Sequence, residues 1–61
     1  MAQYQVRLNG GRVGVPYEHL QTGIDRAVLI TDPGVVQVVD VGADHDVVVW
    51  TKPEGKGESN G

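Results

Sequence analysis

Two segments saturated with valine, residues 35–41 and 47–50, constrain this chain more than any other feature in it. A strand that covers a core on one side and meets water on the other alternates apolar and polar residues, whereas these two are apolar at both parities, so both of their faces ask for cover. A chain of 61 residues has little left to build a second layer. Either the sheet curls into a barrel or another subunit lies on it. The expectation is a small β protein built for association.

The opening of the chain fits that expectation. Tyr4, Val6 and Leu8 alternate with Gln3, Gln5 and Arg7, the pattern of a half-buried strand. Asn9-Gly10-Gly11 supplies the positive-φ residues of a tight hairpin, and Val13, Val15 and Tyr17 resume the alternation on the return. Pro16 suits the first position of a helix and Gly23 the position just past its end, which predicts a short helix over 17–22. Residues 26–31 then read as a third strand, closed by the turn Asp32-Pro33-Gly34. Residues 35–41 and 46–51 read as a fourth and fifth, joined through Gly42-Ala43-Asp44-His45. Short connections make neighbours antiparallel. The predicted fold class is mainly β: a small five-stranded antiparallel sheet or partly open SH3-like barrel with one short helix. Residues 1–51 form a single domain in this reading. Residues 52–61, polar and rich in glycine, form a flexible tail able to run across a neighbour.

Composition narrows the functional classes. With no cysteine, neither a disulfide nor a thiolate zinc site can reinforce so small a fold. With no phenylalanine, the core falls largely to twelve valines, whose branching suits sheet. Five basic against eight acidic residues give a formal charge of −3, which argues against affinity gained by neutralising phosphates. The longest apolar run is four residues, in 27–30 and 47–50, far short of a membrane span. The N-terminus lacks the charged head and apolar run of a signal peptide.

The chemistry-bearing residues are few. Asp40, Asp44, His45 and Asp46 are the only acidic cluster with a histidine, but they lack calcium-loop spacing, and turn residues explain them better than a metal site. Glu18 and His19 are adjacent, so on a helix they do not face each other as a proton-transfer pair. The only serine lies in the tail, leaving covalent catalysis without a nucleophile, and no catalytic residue, metal ligand or cofactor is expected. Gly10-Gly11-Arg12-Val13-Gly14 precedes a strand and not a helix, so it is a hairpin and not a phosphate loop. Arg7 and Arg12 flank that hairpin and make a possible minor basic patch. Val36, Val38, Val48 and Trp50 are the candidate interface residues, Trp50 serving either as core filler or as interface anchor.

The stretch VRLNGGRVGVPYEHL, residues 6–20, resembles the opening of small accessory proteins encoded among the head genes of tailed bacteriophages, in which a short hairpin leads through a V-x-V-P segment into a helix. The resemblance covers about a quarter of the chain. It implies a virion structural role: a decoration or minor capsid protein bound in many copies, with the major capsid protein or copies of itself as partner. The alternative is a small interaction module in the host cytoplasm, such as a phage-encoded inhibitor of a host protein.

Overall fold

The computed structural model describes residues 2–53, which form a four-stranded antiparallel sheet with one helix lying on one of its faces. The strands are β1 (Tyr4–Leu8), β2 (Gly11–Tyr17), β3 (Val36–Asp40) and β4 (Val47–Thr51), and the helix α1 (Leu20–Val28) falls between β2 and β3. In space the order is β2-β1-β3-β4, which leaves β2 and β4 as the two edges.

Two hairpins build the sheet. In the first, Asn9 and Gly10 take φ of 54° and 87°, the pair of positive values that a two-residue hairpin turn demands. Asn9 also anchors the turn to the start of β3. Its backbone N–H donates to the Val35 carbonyl at 2.8 Å, and its side-chain Oδ1 accepts from the Val35 N–H at 2.9 Å. In the second hairpin, β3 and β4 pair through Val38↔Trp50 and Val39↔Val48, so Val49 is an extra residue on β4 and forms a bulge. The hairpins join where β1 meets β3, in the unbroken register Tyr4↔Asp40 to Leu8↔Val36.

The face toward α1 carries the core. Val6, Val36, Val38 and Ala27 are almost fully buried there, and Tyr4, Leu8, Tyr17, Ile24, Ile30 and Trp50 pack around them. Leu20, Gly23, Ile24 and Ala27 follow the helical spacing of three, four and seven, which brings Gly23 and Ala27 onto the sheet. A Cβ on Gly23 would meet Val38 Cγ1 at 3.2 Å, so this glycine sets how closely helix and sheet approach. The helix ends against a cation: Lys52 Nζ donates to the Ile30 carbonyl and, at 3.5 Å, to that of Val28. A positive charge on carbonyls at a helix C-terminus is favourable, because those groups have no partner within the helix.

Three expectations are corrected. The helix runs over Leu20–Val28 and not 17–22, because Gly23 is a packing residue inside it and not its stop. The strand expected at 26–31 does not form, since Ala27 and its neighbours are the helix's last turns, and four strands result instead of five. The sheet stays open: β2 and β4 lie at opposite edges, so no SH3-like barrel closes. Pro16 lies in edge strand β2, a place where a missing N–H costs no ladder bond. Residues 36–40 and 47–51 match the last two expected strands to within one residue at each end. Of the expected tail, 54–61 lie outside the described residues, and Lys52 belongs to the folded unit through its bonds to the end of α1.

Candidate functional site

The sheet face away from α1 has no helix on it, so its side chains decide what this protein offers to others. Alternation along β1 turns Gln5 and Arg7 to this face, and register places Val39 beside Gln5 and Val48 beside Val39. Val39 is nonetheless only 1% exposed. Arg7 Nη2 lies 2.7 Å from Asp46 Oδ2, and because Arg7 is on β1 and Asp46 precedes β4, this ion pair spans β3, the strand between them.

Gln5, the register partner of Val39, repairs the sheet on the other side of β1. Between Tyr4↔Tyr17 and Val6↔Val13 the β1–β2 register slips, so Gln5 faces three residues of β2. Gly14, at φ 71°, takes the backbone conformation this bulge requires. The Gln5 side-chain amide donates to the carbonyls of Val13 at 3.1 Å and Gly14 at 3.2 Å, two groups from the irregular stretch. Gln5 is accordingly the one buried polar side chain among the described residues, and it is satisfied.

Arg12 stands directly across from Arg7 in the β1–β2 ladder, so the two candidate basic residues do share one face. Like charges placed opposite each other in a sheet repel. Asp46 offsets Arg7 alone, and among the described residues Arg12 has no ion pair. The two arginines, with Gln5, Pro16, Val41 and Asp46, line an open recess of about 290 Å³. Arg7 Nε is buried in the protein and donates to no acceptor among the described residues.

The four candidate interface residues separate. Val36 and Val38 are 2% and 0% exposed beneath α1, so they belong to the core and present nothing to a partner. Trp50 is half-buried against that same core. Val48 is at the surface, 50% exposed, and its neighbours Val47 and Val49 are 40% exposed each. Val47–Val48–Val49 therefore form an exposed apolar edge, and of the four candidates Val48 alone lies at the surface. The other edge also exposes valine, Val15 at 67%, but its backbone differs, since β2 carries Pro16 and the positive-φ Gly14, both of which hinder the addition of another strand.

The remaining candidates are local structure. Asp40 Oδ1 accepts from the Gly42 N–H at 2.9 Å, a turn bond, and Asp46 is engaged by Arg7. No three acidic, histidine or cysteine side chains come together to hold a metal among the described residues. His19 is the extended residue before α1 and makes no side-chain capping bond. A second recess, of about 280 Å³, lies where Ile30–Gly34 meets Lys52 and Pro53, but the ammonium at its wall is already bonded to the Ile30 carbonyl. No helix among the described residues is long and apolar enough to cross a membrane. Compared with family models, curated proteins and solved structures, the chain has no significant match to any of them.

Proposed function

We propose that this chain is a structural component of a symmetric assembly, a small decoration or minor capsid protein bound in many copies to a phage head, with the major capsid protein or copies of itself as partner. The observation that supports the reading is the exposed valine edge of β4. Sheet proteins that act alone blunt their edges with proline, charge or short strands, and here β2 follows that rule while β4 carries three surface valines in succession. Leaving such a strip in water is unfavourable, and covering it favours association. A module that inhibits one host protein would use the same edge, and copy number separates the two readings.

Mass spectrometry of purified particles tests the proposal: hundreds of copies per particle support it, and absence from particles overturns it. A pair of substitutions locates the contact. Val48→Lys adds a charge at a solvent-facing position and is expected to leave circular dichroism unchanged while abolishing assembly. Val38→Lys forces an ammonium under the helix and is expected to unfold the chain. Assembly that proceeds normally with Val48→Lys would remove β4 from the interface.

A further inference from the structure

We infer that the recess between Arg7 and Arg12 is a carboxylate-binding site that receives an acidic side chain from a partner protein. The first argument is charge balance. The chain as a whole carries a formal −3, yet this recess brings two guanidinium groups together on adjacent strands and supplies one carboxylate, Asp46. A local excess of positive charge therefore lies within an acidic molecule, and an incoming anion relieves the repulsion between the two arginines.

Donor supply points the same way. Asp46 takes one Nη2 bond from Arg7, whose Nε is buried, while the exposed Arg12 guanidinium donates to no acceptor among the described residues and is the free donor group of the recess. Guanidinium groups match carboxylates through paired N–H donors, so the geometry of Arg suits this ligand. The recess is also held in shape. Gln5 in its wall is fixed by bonds to the carbonyls of Val13 and Gly14, and Arg7 is fixed by Asp46, which lowers the ordering cost of binding.

Site size and charge favour a carboxylate over a nucleic-acid strand. A volume of about 290 Å³ admits one acidic side chain, and a net charge of +1 from three groups is no electrostatic track for a backbone of phosphates. The recess lies on the helix-free face that also carries Val48, so a protein surface with an acidic residue beside an apolar strip is complementary to both. Only the origin of the carboxylate rests on the assembly reading. The binding itself is measurable on the isolated protein.

The test is a titration of the folded chain with sodium acetate at constant ionic strength, following the arginine Nε–H resonances by NMR. The expected result is a saturable shift of Arg7 and Arg12, weakened at least tenfold in Arg12→Gln, whose position is exposed and whose fold is checked by circular dichroism. Asp46→Asn removes the built-in competitor and is expected to strengthen acetate binding severalfold. Shifts no larger than those produced by chloride, or unchanged binding in Arg12→Gln, overturn the site. Parallel titrations use inorganic phosphate and a short single-stranded oligonucleotide. Saturation by these with none by acetate overturns the carboxylate assignment in favour of nucleic acid. Acetate binding in a chain that never associates with particles leaves this site standing and removes the assembly reading.

Discussion

Gly23 shows how one missing methyl group sets the geometry of the fold. In a helix interior glycine costs about 1 kcal/mol relative to alanine, so propensity alone favours Gly23→Ala. Packing opposes it: the new Cβ would lie 3.2 Å from Val38 Cγ1, and Val38 is fully buried and stiff at its branched carbon. Overpacking costs about 1–3 kcal/mol, which outweighs the gain. Gly23→Ala is therefore expected to lower stability by about 1 kcal/mol, read as a fall of several degrees in the thermal midpoint. In a Val38→Ala background the same substitution has room, and a double-mutant cycle is expected to show it stabilising. Two equal effects would mean that the helix does not rest on Val38.

At the scale of elements, what was legible depended on whether a residue's role was local. Asn9-Gly10 marks its hairpin because only the backbone conformation matters there, and β3 and β4 are marked by valine runs too short for helices. The helix bounds are not legible because Gly23 has two uses, as a stop and as a close-contact residue, and the second exists only once the sheet is in place. The run at 27–30 likewise has no period of its own, so strand and helix fit it equally until Ala27 meets the core. Of the candidate site, Arg7 and Arg12 were visible as flanks of one turn. Asp46 was not, since the pairing of β1 with β3 is what brings it within reach of Arg7. Lys52 is a similar case, a tail residue by composition that acts on α1. Lys52→Met keeps the apolar stem and removes the ammonium from the Ile30 and Val28 carbonyls, with an expected loss of about 1 kcal/mol in a denaturant melt. No change would show that these carbonyls are equally well served by water.

For the molecule as a whole, the two faces of one small sheet are covered by different means. Valine at both parities implied two dry faces, and a closed barrel was one way to satisfy them. The structure instead lays α1 on one face, while on the other Val39 is buried beside Gln5 and the Arg7–Asp46 ion pair spans its strand. Which valines of that face are buried depends on tertiary register, which valine content does not encode. Val39 is buried and Val48 beside it is half exposed, on the edge through which we propose the chain associates.

The order β2-β1-β3-β4 has one more consequence. Each hairpin is contiguous in sequence, and the two are stitched together by a single antiparallel seam between β1 and β3. Between α1 and β3 the backbone crosses an exposed link, Thr31–Gly34. Neither half has a complete core alone: Val6 and Ala27 lie on one side of the link, Val36 and Val38 on the other. Peptides spanning 2–32 and 33–53 should therefore be unfolded separately and reconstitute a sheet when mixed, with circular dichroism of the mixture exceeding the sum of the parts. A protein that associates in this manner with its own severed half would carry, in its central seam, the same physics by which we propose its outer edge meets a neighbour.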